Sequence, residues 1–231
     1  MTSKERVLQA VNHKTADRVA ITFDAEKEVY EMLYKNLNLK TKEALFDYLG
    51  VDTWMILPRN FIYPDEDLDK EEKTSIWGYK ARVTPYSGGT YDELYHSSLA
   101  GKDEIDDIRN HHWPADDTVG FEHFPQEIAA HQDRAILGVF TWGAYFIATH
   151  VRGLENLMMD FALRKKYAEY LINTIAEKSM VYLNTMLEDY GAGIDIVYMA
   201  DDYCSQQGPL FSPADFRKLV MPYLTKMVEL T

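Results

Sequence analysis

Two adjacent carboxylic acids, Asp201 and Asp202, follow the apolar run Ile194-Asp195-Ile196-Val197-Tyr198-Met199 and are the residues of this sequence best placed to do chemistry. A short apolar run of this kind reads as a buried parallel strand, and side chains at the C-terminal ends of such strands line the reactive end of barrel enzymes. Successive residues leaving a strand point to opposite faces, so one of the two acids is expected to face a pocket. There it would act as a general acid or base, or stabilise a cationic centre, with a desolvated mouth raising its pKa. The bland alternative is a loop acid paired with nearby backbone or an arginine.

Other candidates surround this pair. Gln206 and Gln207 carry amides that would orient a polar substrate, or else they are solvated loop residues. Cys204, the single cysteine, is a soft metal ligand or a nucleophile in principle. Two neighbouring carboxylates would raise its thiol pKa, and no histidine lies near it in sequence, so no metal site is assigned. Trp142, Tyr145 and Phe146 follow a third strand and either line an aromatic pocket or pack against the next helix. Phe23 and Asp24 end the first strand and are pocket candidates by position. His111 and His112 point apart among Asp106, Asp107, Asp116 and Asp117, which suggests a solvated loop. Arg152 and Glu155, three apart on one helix, read as a structural pair.

The elements that must position these residues alternate. Thr2 and Glu5 form a capping box ahead of a first helix with Val7, Leu8 and Val11 on one face. Val19 to Phe23 reads as strand one, 27–37 and 42–49 as helices with Gly50 as a stop, and Asp52 to Leu57 as strand two. From about 59 to 134 the chain turns polar and tyrosine-rich, with a strand at Ile76 to Val83 and a hairpin turn at Gly88-Gly89. This is read as an insertion over one end of the fold. Ala135 to Phe140 is strand three, followed by helix over 144–162 and a long helix from 165 to about 190. Strand four is Ile194 to Met199. Ser212 caps a last helix that Pro222 should kink.

Four β/α units with continuously apolar strands imply the N-terminal half of a (β/α)8 TIM-type barrel, one domain over 1–231. Four strands cannot close. The expectation is therefore completion by further polypeptide, a complementary C-terminal fragment or a homo-oligomer. The net charge of −13, from 24 Lys and Arg against 37 Asp and Glu, excludes a general nucleic-acid or anionic-membrane binder. The charged opening MTSKERVLQAVNHK is no signal peptide, and no run approaches the roughly 18 apolar residues of a membrane span. A cytoplasmic protein acting on a small molecule is expected.

Three blocks together resemble the uroporphyrinogen decarboxylase superfamily, which includes tetrapyrrole decarboxylases and corrinoid-linked methyltransferases. They are Glu5 to His13 with Ala16-Asp17-Arg18-Val19; Gly143 to Phe146 with Val151 to Asp160; and Asp201-Asp202-Tyr203-Cys204-Ser205-Gln206-Gln207-Gly208-Pro209-Leu210-Phe211-Ser212-Pro213, running on to Leu224. The decarboxylases' M-R-Q-A-G-R block, whose arginines grip substrate carboxylates, is replaced here by Ile21-Thr22-Phe23-Asp24-Ala25-Glu26-Lys27. Thr149 is the nearest match to their pocket tyrosine. The resemblance therefore implies the methyltransferase branch, with a corrinoid protein as partner and zinc as cofactor. In that branch the zinc ligands would lie beyond Thr231. Tetrapyrrole decarboxylation and a non-catalytic barrel fragment are the alternatives.

Overall fold

The computed structural model describes residues 1–231. Helix α1 (Ser3–Val11) begins at the expected capping box, with Thr2 and Glu5 satisfying each other's backbone N–H. The chain then runs extended over 18–26 into α2 (Lys27–Leu37) and α3 (Lys42–Leu49), which Gly50 ends in a left-handed conformation. Strand β1 (Thr53–Ile56) leads to an antiparallel sheet of β2 (Glu72–Thr74), β3 (Lys80–Tyr86) and β4 (Gly89–His96). Helices α4 (Ile105–Arg109) and α5 (Phe124–Ala130) return the chain to β5 (Ala135–Val139). Then come α6 (Ala144–Arg152), α7 (Leu154–Leu163), α8 (Lys165–Tyr190) and β6 (Ile196–Tyr198). A small hairpin of β7 (Cys204–Ser205) and β8 (Gly208–Pro209) precedes α9 (Pro213–Asp215), a π-type turn (Phe216–Val220) and α10 (Met221–Leu230). The wide turn falls just before Pro222, whose missing N–H cannot continue the α ladder.

The strands β1, β5 and β6 form a parallel sheet in the order β1-β5-β6, with Met55 beside Leu137 and Val139 beside Tyr198. Its two faces differ. Trp54, Ile56, Ile136 and Phe140 join the main core with Phe124, Tyr182 and Met186, whereas Leu137 and Val139, though buried, lie outside that core on the inner face. Leu57 remains 47% exposed and Tyr198 36%. One face sealed by helices and the other open is the pattern of a barrel wall.

The expected first strand is corrected. Ile21 accepts one backbone hydrogen bond from Asp52 N at 2.7 Å, but its own N–H goes to the Asp52 carboxylate at 2.8 Å. The side chain takes the donor that a ladder needs, so 18–26 lies along β1 without becoming a strand, and Val19 is 83% exposed. Asp52 is fully buried and also holds Arg6 and Arg18, while Arg6 binds Asp17 at 2.6 Å. The Asp17-Arg18 pair thus anchors α1 and the extended arm to the sheet.

Two further expectations change. The single helix over 144–162 is two, broken at Gly153, whose φ of 85° suits a residue without a Cβ. The break takes Arg152 away from Glu155. Arg152 instead lies fully buried against Asp160 (2.8 Å), with further bonds to Asp103 (2.7 Å) and the carbonyls of Leu99 and Lys102. Arg164 braces the same two acids. Nor does the whole of 59–134 cover one end. The β2–β4 sheet overhangs the C-terminal end of β5, but residues 99–103 are tied to Arg152 and α5 packs behind β1 through the Trp54–Glu127 hydrogen bond.

Removing one partner from a buried ion cluster strands the other charges. Arg152→Met is expected to destabilise the protein by about 3–5 kcal/mol, read as a lowered urea midpoint, and a second change, Asp160→Leu, should restore part of that loss. A single variant with a wild-type midpoint would show the cluster to be energetically idle.

Candidate functional site

The C-terminal ends of β1, β5 and β6 meet the extended arm and the β3–β4 hairpin around Trp142. On the inner face a cavity of about 140 Å³ is lined by Phe23, Asp24, Met55, Phe61, Val139 and Tyr198, among others. Trp142 forms part of its wall and also of a second, larger cavity of about 580 Å³ beneath the hairpin, lined by Tyr63, Tyr79, Lys73, Asp92, Phe146 and His150. Phe61 and Trp142 meet at a tilt, 5.1 Å between ring centroids.

Asp201 and Asp202 part company here. The half-buried Asp201 turns under the N-terminus of α6, accepting the N–H of Phe146 at 2.7 Å and of Tyr145 at 3.2 Å. Both Tyr203 Oη (2.8 Å) and Tyr223 Oη (2.9 Å) donate to its Oδ2, and the N–H of Asp202 donates to its Oδ1. Gly143 makes this possible, since a Cβ there would come within 2.1 Å of the Asp201 carboxyl carbon. Desolvation pushes the Asp201 carboxyl above the usual carboxylate range, and the hydrogen bonds limit the rise. The same burial, together with the Asp201 charge, raises the hydroxyls of Tyr203 and Tyr223. With both oxygens engaged, Asp201 positions α6, the loop and α10 relative to one another. Asp202 is exposed, and its charge acts on the imidazole of His150.

The remaining candidates separate as clearly. Phe23 and Asp24 line the inner cavity, and Phe146 lines the larger one. Tyr145 is fully buried among Phe161, Tyr203 and Phe211, so it belongs to the core and to neither cavity wall. Gln206 and Gln207 form the exposed turn of the β7–β8 hairpin, away from both cavities. Cys204 is exposed at an apolar pocket between that hairpin and the π-type turn. His111 is not solvated as expected: its ring bonds the Trp77 carbonyl at 3.0 Å and lies against Trp113.

His150 was missed. Phe146 and His150 stand at i and i+4 on one face of α6, a spacing visible in the sequence, and Trp142 precedes the helix on the loop from β5. His150 Nδ1 lies 2.9 Å from the Phe146 carbonyl, which can only accept, so Nδ1 carries the proton and Nε2 keeps its lone pair. Burial lowers its pKa and favours this neutral form. Tyr63 and Tyr79 were also missed, because only pairing of the hairpin brings them to α6.

Residues 126–231 match the family model for uroporphyrinogen decarboxylase (URO-D). Over this segment, a little under half of the chain, the sequence is similar to the URO-D family. The segment holds the second and third resembling blocks and all of β5, α6 and β6; the opening block lies outside it. A methyltransferase from Methanosarcina mazei superposes with a TM-score of 0.64 at 18% identity, covering 99% of this chain and 67% of that one. At that identity the likeness is one of fold, and it extends the barrel-type α/β architecture to the whole chain. Comparison with curated proteins gives no match.

The segment 126–231 carries a pH signature. The native state binds the Asp201 proton more tightly than the unfolded chain does, so stability falls as pH rises from the ordinary value of 3.8 through the raised native pKa. Asp201→Asn removes that slope. The urea-midpoint gap between wild type and Asp201→Asn should therefore narrow from pH 4 towards pH 8; a gap that widens would contradict a raised pKa.

Proposed function

We propose that this chain forms the substrate-binding wall of a methyl-transferring enzyme of the URO-D superfamily. The enzyme would act on a small molecule and exchange the methyl group with a corrinoid-bearing partner protein. The observation that carries this over decarboxylation is the absence of any guanidinium from the walls of both cavities. A polycarboxylate substrate needs bidentate arginines to offset its desolvation. The inner cavity instead offers Asp24 and one lysine, Lys42, whose ammonium already lies 4.7 Å from the Trp54 ring.

Asp202 is the proposed acid–base or charge-stabilising residue, since it combines a free carboxylate just past β6 with a charge that acts on His150. His150 Nε2 supplies a neutral acceptor. Phe23, Phe61, Trp142 and Phe146 would hold the substrate and exclude water. Asp24 would face it across the inner cavity. Gln206 and Gln207 retain a role only if a partner brings substrate to the exposed hairpin.

Zinc does not fit the side chains of this chain. No three His, Cys, Asp or Glu side chains converge to hold a metal, and Cys204 stands alone. The open inner face, with Leu57 and Tyr198 partly bare, favours covering by further polypeptide that completes the barrel. No helix is long and apolar enough to cross a membrane.

The test is twofold. With methylcob(III)alamin and a small thiol, the protein should bleach the methylcobalamin absorbance, and with uroporphyrinogen it should release no carboxyl groups. Asp202→Asn should slow methyl transfer by at least about 100-fold, the scale of a lost acid–base group, and shift stability by no more than about 0.5 kcal/mol. Decarboxylation of uroporphyrinogen, or full turnover by Asp202→Asn, would refute the reading.

A further inference from the structure

The cavity beneath the β3–β4 hairpin has an unusual lining for its size. At about 580 Å³ it falls within the range of small-ligand sites. Its walls carry a continuous aromatic belt. Tyr63 meets Tyr79 at 6.2 Å between centroids, Tyr79 meets His150 at 5.0 Å, His150 meets Phe146 at 4.3 Å, and Phe146 meets Trp142 at 5.8 Å. The faces of such rings carry the negative part of the quadrupole and attract cations.

The charges around the belt select the sign of the ligand. Lys73 sits 5.5 Å from the Tyr63 ring centroid, so this wall already holds an ammonium in cation–π contact. Its charge is cancelled by Asp92, whose two oxygens lie at 2.9 and 3.0 Å, and it is not free to receive an anion. Lys27, the other lysine of the lining, is at the rim with its side chain 84% exposed and turned towards Glu31. His150 is neutral, as derived above. Glu26 and Glu28 stand at the mouth, and Glu28 also clasps the hairpin by accepting the N–H of Thr90 at 3.0 Å. An anion would find no unpaired buried cation here, and a neutral apolar ligand would gain nothing from the acids.

We infer that this chamber binds a small organic cation, an alkylated ammonium whose diffuse charge is spread over its methyl groups. The inference rests on the reading of the adjoining cleft as a methyl-transfer site and names its substrate class. The positive nitrogen would lie among Tyr79, His150, Phe146 and Trp142, with Asp202 and the mouth glutamates supplying long-range attraction. The full chain carries −13, which favours the approach of a cation.

Calorimetric titration of the 231-residue chain with choline and with its neutral isostere 3,3-dimethylbutan-1-ol separates charge from shape. Choline should bind on the order of ten-fold more tightly, the scale of partly desolvated cation–π contacts. Phe146→Leu should lose most of that preference, and Trp142→Leu serves as a second variant if the first fails to fold. Equal binding of the two compounds, tighter binding of the alcohol, or no binding of either would overturn the inference. The readout needs no turnover. Choline binding without methyl transfer would refute the proposed reaction and leave the site, whereas methyl transfer without choline binding would do the reverse.

Discussion

The Asp201 carboxylate is the constraint on which the reactive end of this molecule depends. It leaves β6 and turns beneath the first turn of α6, where it takes the N–H groups of Tyr145 and Phe146 that no helical carbonyl can reach. The same oxygens receive Tyr203 from the following loop and Tyr223 from α10. A negative charge at a helix N-terminus is favourable, and here it also sets the rotation of α6 about its axis. That rotation presents Phe146 and His150 to the cavities and sends Tyr145 and Arg152 into the core. Gly143 is the steric condition for the arrangement, because any side chain there would occupy the space of the Asp201 carboxylate.

Two other buried charge clusters extend this logic to the rest of the chain. Asp52 gathers Arg6, Arg18 and the Ile21 N–H, which fixes the arm carrying Phe23 and Asp24 beside β1. Arg152 and Asp160 gather Arg164, Asp103 and the carbonyls of Leu99 and Lys102, which fixes the return path of the long segment after the hairpin. Buried ion clusters add little net stability over apolar packing, but their geometry is exacting. In this protein they hold irregular segments, whose backbone has no ladder of its own, against a small parallel sheet.

The chemistry of the cleft follows from what these segments bring together. The arm supplies Phe23 and Asp24, the sheet supplies Met55 and Val139, and the hairpin region supplies Tyr63 and Tyr79. The result is aromatic and acidic, without a guanidinium. Such a surface suits a small ligand that is neutral or cationic far better than a polycarboxylate. Asp202, exposed and free of the bonds that occupy Asp201, acts through its charge on His150.

Local rules carried much of this from the sequence alone. The capping box at Thr2, the Gly50 stop, the long helix ending at Tyr190, the Ser212 cap and the apolar runs of β1, β5 and β6 all follow from short-range periodicity and hydrogen bonding. The separation of two adjacent acids leaving a strand was expected on the same local grounds. The tertiary structure alone decided which of the two is tied down, because burying Asp201 required donors from residues 145, 146, 203 and 223 at once. It also turned Val19 to Phe23 from a strand into an arm, since a carboxylate 31 residues away from Ile21 took the donor that a ladder would use. The aromatic belt is likewise a tertiary product: its rings come from α6, the loop before it and the segment around the hairpin, and only packing sets the distances between them.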